Sequence, residues 1–260
     1  EAAGIDLAYG NYAGNYRASR PGLGLIGADF NKDGLIDLFV ANDLMVDQLW
    51  INRGDLRFQD QATLWGCDVD EHGIAKAGMG VAAADVDDDA DVDLLVVNNI
   101  TQTDSFFSNQ GGYFVDATAA VGLGASSRRN TRFGVALVDF DNDGRLDLYH
   151  ANGAIAFFQP AESDPYVQPN VLYRKNANGR FEEVRPDGGV AEPLVHTSRG
   201  LAYGDVDNDG GMDLLIVNRD AKPYLLMNRA PSRGNWVRFR VISREGRDAH
   251  GATVSLRAGE

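Results

Sequence analysis

The fold can be read from one stretch, Asp139-Phe140-Asp141-Asn142-Asp143-Gly144-Arg145-Leu146-Asp147, because the same arrangement begins again at Asp29, Asp85 and Asp205. In each copy, side-chain oxygens fall at loop positions 1, 3, 5 and 9. These are Asp29, Asn31, Asp33 and Asp37; Asp85, Asp87, Asp89 and Asp93; Asp139, Asp141, Asp143 and Asp147; and Asp205, Asp207, Asp209 and Asp213. Carboxylates at alternate residues of a tight turn converge, and each pair at close range repels by about 1 to 4 kcal/mol, depending on the effective dielectric. A hard cation removes that cost. Calcium accepts about six to eight oxygens in flexible geometry, so four side chains and the carbonyl at position 7 (Leu35, Asp91, Arg145, Gly211) would nearly fill its shell. Magnesium keeps its waters in a strict octahedron and fits less well. The expectation is therefore four Ca²⁺ sites held by these residues.

An EF-hand loop begins the same way but closes with a bidentate Glu at position 12 between two helices. Position 12 here is Val40, Val96, His150 and Ile216, none of which can chelate calcium as that Glu does. The surrounding residues, such as Leu94-Leu95-Val96-Val97, have the apolar, β-branched character of a buried strand. Each loop is thus expected to join two strands. An Asp- and Gly-rich turn can also be an ordinary hairpin without metal, but four copies with matched spacing argue against that reading. The second copy carries Ala90 at position 6, where the sharp turn favours a residue without a Cβ.

Repetition extends beyond the loop. A Gly lies five residues before each first Asp (Gly24, Gly80, Gly134, Gly200), a Leu nine after it (Leu38, Leu94, Leu148, Leu214) and an Asn thirteen after it (Asn42, Asn98, Asn152, Asn218). Loop starts are 56, 54 and 66 residues apart. A period of this length with several short strands per unit marks a β-propeller blade. Each unit reads as four strands. The first ends on the loop (Gly80-Val81-Ala82-Ala83-Ala84), and the second comes after it (Leu214-Leu215-Ile216-Val217). The third is seen in Gln48–Asn52, Ser105–Asn109, Val171–Arg174 and Tyr224–Asn228, and the fourth in Gly112–Asp116 and Gly179–Val184. The Asn residues after strands two and three read as turn caps. The fold class is all-β, a propeller of four-stranded antiparallel blades.

The pattern Gly-x-x-x-x-Asp-x-Asp-x-Asp-Gly-x-x-Asp-Leu followed by Asn resembles the FG-GAP, or VCBS, repeat of integrin α-subunit propellers and many secreted bacterial proteins. The resemblance covers residues 20–228. Beyond it, Asn235–Val241 and Arg247–Val254 are similar to the opening of the ASPIC/UnbV module that succeeds such repeats. The resemblance implies a seven-bladed propeller, calcium on the loops between first and second strands, and a location outside the cytoplasm: secreted, at the cell surface or in the periplasm. Only four metal repeats are present, so the chain is expected to be about four blades of a longer ring. Residues 1–19 read as the end of a preceding blade and 229–260 as the start of the next β module. Such an arc would leave open apolar blade faces, around Leu25 and Ile26 at one end and Tyr224 to Met227 at the other.

Composition excludes several function classes. At 260 residues, 44% hydrophobic and 24% charged, the chain can bury a sizeable core. It has no apolar run long enough to span a membrane, and its first residues have neither the basic start nor the apolar core of a signal peptide. The net charge of -14 is largely metal-site chemistry: 15 Asp occupy ligand positions, and the remaining 23 acidic residues nearly balance 24 Lys and Arg. Four Ca²⁺ would bring the charge to about -6. Nucleic acid is not an expected partner of such a surface. The single Cys67 can form no internal disulfide and reads as a buried thiol.

No catalytic set stands out: the four histidines lack zinc spacing, there is no Gly-x-Ser-x-Gly elbow, and the paired carboxylates are ligands first. His196-Thr197-Ser198 lies near Asp205, which a metal loop already claims. In a four-stranded meander the metal loops lie opposite the two-to-three and four-to-one loops. That opposite face carries the insertion 153–169 with Phe157, Phe158 and Tyr166, the stretch Tyr9–Arg17, and Arg128-Arg129-Asn130-Thr131-Arg132. It is the expected surface for a protein or glycan ligand, although the same aromatics could simply pack the loops down. Residues 229–260 hold seven Arg against three acidic residues, a basic tail that reads as a solvated strand surface or a docking segment. The leading functional expectation is an extracellular, calcium-binding, non-catalytic interaction or adhesion module. Its alternatives are a protomer that self-associates through open blade edges into a larger assembly, and the scaffold of a polysaccharide-active enzyme.

Overall fold

The computed structural model describes residues 20–155, 164–185, 187–231, 233–249, 252 and 254–256. It is an all-β arc of four antiparallel propeller blades, as the repeat predicts. Blade I is β1 (Gly22–Ala28), β2 (Asp37–Asn42), β3 (Gln48–Asn52) and β4 (Phe58–Asp60), paired in that order. A one-turn helix α1 (Ala62–Trp65) leads to blade II, which is β5 (Val81–Ala84), β6 (Asp93–Val96), β7 (Ser105–Asn109) and β8 (Phe114–Asp116). After α2 (Leu123–Ser126) comes blade III, built from β9 (Arg132–Val138), β10 (Asp147–Asn152), β12 (Val171–Lys175) and β13 (Phe181–Glu183). The insertion contributes β11 (Gln168–Pro169), which pairs with β14 (Val195–His196) as a separate ribbon. Blade IV is β15 (Ser198–Gly204), β16 (Asp213–Asn218) and β17 (Tyr224–Leu226).

Two expectations are corrected here. Blade IV has three strands among the described residues, because after Asn228 the chain turns away through Pro231, and proline cannot donate to a strand ladder. The two short helices were not anticipated; each is one turn long, too short for a periodic apolar signal.

The recurring Gly is explained by how blades meet. Inner strands β1, β5, β9 and β15 lie side by side, and a Cβ at Gly24 would stand 2.3 Å from the carbonyl oxygen of Met79. At Gly80 it would stand 1.9 Å from that of Phe133, and at Gly134 2.9 Å from that of Arg199. The second strand of blade II is buried on both sides, so alternate residues feed different interfaces: Leu94 and Val96 join the core between blades I and II, whereas Leu95 joins the one between II and III. The third core, between III and IV, gathers Val138, Tyr149, Leu214 and Ile216. Cys67 is fully buried in the first core, and burial pushes its thiol well above the usual range.

Among the described residues no core cluster joins blades I and IV, so the arc is not a closed four-bladed ring. Leu25 (65% exposed) and Leu225 (52%) lie on its open faces, as expected. Ile26, Tyr224 and Leu226 do not; they are the alternate residues of the same strands and pack inward on the first and third cores.

Candidate functional site

The four loops share one hydrogen-bond scheme. The position 1 carboxylate accepts the backbone N–H groups of positions 5 and 6, as in Asp29 with Asp33 (3.1 Å) and Gly34 (2.8 Å), and Asp139 with Asp143 (3.1 Å) and Gly144 (2.8 Å). The position 9 carboxylate is buried at the start of the second strand. It accepts N–H from position 2 and from a residue at or just past the end of strand three: Asp93 takes Val86 (2.9 Å) and Asn109 (2.9 Å), and Asp213 takes Val206 (2.8 Å) and Asn228 (2.8 Å). These bonds draw the chain into a turn that needs positive φ twice. At position 6 the residues are Gly34, Gly144, Gly210 and, as anticipated from its lack of glycine, Ala90 at 67°. Position 4 was not anticipated; Lys32, Asp88, Asn142 and Asn208 all take φ between 54° and 64° there.

The result gathers positions 1, 3 and 9. Oxygens of Asp85, Asp87 and Asp93, of Asp139, Asp141 and Asp147, and of Asp205, Asp207 and Asp213 lie within 4.8 Å of one another in each set. In the first loop, Asn31 stands at position 3 with Asp29 and Asp37, so that loop offers two carboxylates and an amide oxygen. Position 5 does not join these groups. Asp33, Asp89, Asp143 and Asp209 instead accept the N–H of position 7 (Leu35, Asp91, Arg145, Gly211) at 2.8 to 2.9 Å. Arg145 and Arg174 also pair with Asp143, while Arg233 holds the Asp209 carboxyl below the usual range.

Electrostatics favour a cation in this setting. Burial, reinforced by neighbouring carboxylates, pushes Asp93 and Asp147 up to about 6 and raises Asp37 and Asp87 in the same direction. The Oδ1 atom of Asp141 is buried without a hydrogen-bond partner beside Asp139 and Asp147. An orphaned hard anionic oxygen among converging carboxylates is the donor set that calcium takes.

The asparagines divide into two kinds. Those after strand two cap their own turns, donating to Val46 O from Asn42 (2.8 Å), to Thr103 O from Asn98 (2.9 Å), to Pro169 O from Asn152 (2.7 Å) and to Lys222 O from Asn218 (2.8 Å). Those at the end of strand three cap through Oδ1, and two of them, Asn109 and Asn228, also latch blades together through Nδ2. Asn109 donates to Phe30 O (3.0 Å) and Asn228 to Phe140 O (2.7 Å), each the position 2 carbonyl of the preceding blade's loop. Lys175 does the same to Val86 O. Loops also meet directly: Lys32 pairs with Asp91 (2.7 Å), and Asn142 donates to Gly210 O (3.1 Å).

The opposite face is partly packing and partly open. Arg132 and Asp104 form a fully buried pair at 2.6 Å, with His150 3.4 Å from the other oxygen. Burial brings His150 down to about 4. Arg128 donates to Thr101 O (2.7 Å) and Arg129 pairs with Glu183, so these arginines tie loops down rather than project freely. Tyr166 lies under the Arg219 guanidinium (4.4 Å). A cleft of about 300 Å³ with a mixed lining opens on this face, and Asp70, His72, Lys76, Gln102 and Arg128 are among its walls. Phe157, Phe158 and Tyr9–Arg17 lie outside the described residues. Ser198 donates to Asn218 Oδ1 (2.7 Å), and no nucleophile–base pair forms with His196, which instead stacks near Tyr224 (5.5 Å). A second cleft, about 520 Å³ and largely apolar, opens between blades III and IV on the loop side, with Phe140, Tyr149, Leu172, Arg174, Met212 and Leu226 in its walls.

The basic tail is exposed along most of its described length, but its first arginines are engaged. Arg229, Arg233 and Arg238 all reach the fourth loop. No described helix is long and apolar enough to cross a membrane.

Comparison with protein families matches residues 29–96 and 85–150 to the FG-GAP-like repeat. Cartilage acidic protein 1 of Xenopus tropicalis is 30% identical over 228 residues, covering 85% of this chain and 33% of that protein. The Homo sapiens protein of the same name is 30% identical over 226 residues, covering 85% and 32%. The chain thus spans about a third of the length of these relatives. Among solved structures, an Agrocybe aegerita lectin that recognises non-reducing terminal N-acetylglucosamine superposes with a TM-score of 0.41 at 16% identity, covering 78% of this chain and 51% of its own.

Proposed function

We propose that this chain is a calcium-stabilised arc of an extracellular FG-GAP propeller, in which all four repeats belong to that type and whose role is to bind another macromolecule. The observation that carries the reading is the repeated group of three carboxylates within 4.8 Å, with a buried unpartnered oxygen on Asp141. Asp85, Asp87 and Asp93, with their counterparts in loops III and IV, would hold the cation, and Asp29, Asn31 and Asp37 would hold it in loop I. Bound calcium would neutralise the carboxylates and fix the turn. The chain's own contribution is the N–H scheme that orients position 1 and position 9 before any ion arrives. The Asn and Lys latches then pass the order of one loop to the next blade. An extracellular setting suits this chemistry, since calcium there is held near the mM range that weak modules require.

The ligand face in this reading is the one opposite the loops, where the cleft of Asp70, His72, Lys76 and Arg128 suits a polar protein surface or a glycan. The test is calcium-dependent retention of the chain on protein and glycan arrays, with Lys76→Ala and Arg128→Ala as face-specific variants. Binding lost in EGTA and in those variants is expected; binding indifferent to both contradicts the assignment. A second reading, assembly through blade edges, is favoured by the exposed Leu25 and Leu225 faces and the unpaired edge of β17. Light scattering distinguishes it, since it requires self-association at tens of micromolar protein.

A further inference from the structure

The fourth loop differs from the others in the origin of its countercharge. Arg233 grips Asp209 with both guanidinium nitrogens (Nη1–Oδ1 2.8 Å, Nη2–Oδ2 2.9 Å). Arg229 reaches Asp207 at 3.3 Å and Asp209 at 3.4 Å, while Arg238 reaches Asp205 at 3.4 Å and Asn208 at 2.6 Å. All three arginines come from the segment C-terminal to the last blade. The same segment is seated on two loops at once: Gly234 donates its N–H to the Asp141 carbonyl of loop III at 2.8 Å. The segment packs closely on both loops, against backbone at Gly234 and against the segment's own side chains at Gly210 and Gly211. A Cβ at Gly234 would lie 2.0 Å from the Asn142 oxygen, one at Gly210 2.0 Å from Trp236 Nε1, and one at Gly211 1.6 Å from Arg233 Nη1. Loop II, in contrast, has one ion pair among the described residues, Lys32 with Asp91, and a second cation, Lys175, on its Val86 carbonyl.

We propose that Arg229, Arg233 and Arg238 form a guanidinium clasp on the fourth loop whose docking is negatively coupled to calcium at that loop. This rests on the reading that the loops bind calcium. Two of the three arginines pair with Asp205 and Asp207, which belong to the carboxylate group itself, so clasp and cation share the same charges. Three guanidinium groups already offset most of the four carboxylates of Asp205, Asp207, Asp209 and Asp213. A divalent ion placed among those carboxylates is repelled by each nearby guanidinium, and three such repulsions, screened at the surface, amount to about a tenfold loss of affinity. Linkage makes the effect reciprocal: calcium at loop IV weakens the hold on the segment by the same factor. The clasp therefore makes the junction between the fourth blade and the basic segment responsive to calcium, whereas loops I and II are not under its control.

The test uses the 260-residue chain with calcium chloride as the only added ligand. Calorimetric titration compares it with the triple variant Arg229→Gln, Arg233→Gln, Arg238→Gln. One site should tighten about tenfold in the variant while the rest are unchanged. The second measurement reads Trp236 through acrylamide quenching, in a Trp50→Phe, Trp65→Phe background. Calcium should make Trp236 more accessible, and Asp213→Asn, which removes a loop IV carboxylate that no arginine touches, should abolish that response. Unchanged affinities in the triple variant, or a Trp236 that calcium shields further, overturn the clasp while leaving calcium binding intact. A wild-type chain that binds no calcium overturns both readings together.

Discussion

Gly80→Ala tests the blade packing most sharply. Its φ is in the ordinary range, so alanine is conformationally permitted, and what opposes it is the neighbouring blade alone. The new methyl would sit 1.9 Å from the Phe133 carbonyl oxygen. A carbon and a carbonyl oxygen come no closer than about 3.3 Å, so blades II and III must separate locally by about 1.4 Å. A gap of that order forfeits at least half of the dispersion energy of the atom pairs it parts, and overpacking a tight interior commonly costs about 1 to 3 kcal/mol or more. The expected loss is about 3 kcal/mol, or roughly 6 to 12 °C in melting temperature for a chain of this size. Gly200→Ala is the internal control. It occupies the same repeat position, yet its nearest neighbour would be Val217 Cβ at 3.7 Å, because among the described residues no further blade stands against it. Its expected effect is within about 0.5 kcal/mol. Thermal melts monitored by circular dichroism in excess calcium decide the matter. Equal effects of the two substitutions, or a neutral Gly80→Ala, would refute the reasoning.

Other expectations attach to single features. Ala90→Gly relieves a positive-φ alanine and should raise stability by about 1 kcal/mol, read as a melting shift of a few degrees; a loss would mean that the turn does not strain it. Arg132→Ala leaves Asp104 buried and unpaired and should cost about 3 to 5 kcal/mol, whereas Arg129→Ala, at an exposed pair, should cost under about 1, both measured by urea unfolding. His150 is held neutral with a pKa of about 4, below its unfolded value near 6.5. Its contribution is present above pH 6.5 and lost as pH falls toward 4, by up to about 3 kcal/mol. His150→Gln should flatten that part of the stability profile, and an identical slope in both proteins would count against it.

Much of this was legible because the loop is written almost entirely in residue types whose chemistry is local. Alternate carboxylates, a Gly at the second positive-φ position and the strand after it need no distant partner to be read. The all-β class and the blade count came from the same repetition. What the sequence hid depends on neighbours in space. Asn109 reads as a turn cap, and it is one, but its Nδ2 also reaches Phe30 in another blade, 79 residues away. Arg132, Asp104 and His150 are far apart in the chain and belong to no motif, so their buried cluster had no sequence signal. Position 5 was read as a ligand from its alternation with positions 1 and 3, and what alternation did not show is that its Oδ1 also accepts the N–H of position 7. Lys175 stands where the repeat calls for Asn, and only its register on β12 shows that it makes the same latch.

Calcium in the repeated loops, and a fold that leans on it, underlie the proposed function and the clasp. If each site binds at about 0.1 to 1 mM, 1 mM calcium adds roughly 0.4 to 1.4 kcal/mol per site. The direct measurement is the calcium stoichiometry of the 260-residue chain by calorimetry, paired with its melting temperature before and after EGTA. The expected result is about four ions per chain, one fewer in Asp147→Ala, and a fall of several degrees on chelation. A chain that binds no calcium and melts at the same temperature in EGTA would contradict it.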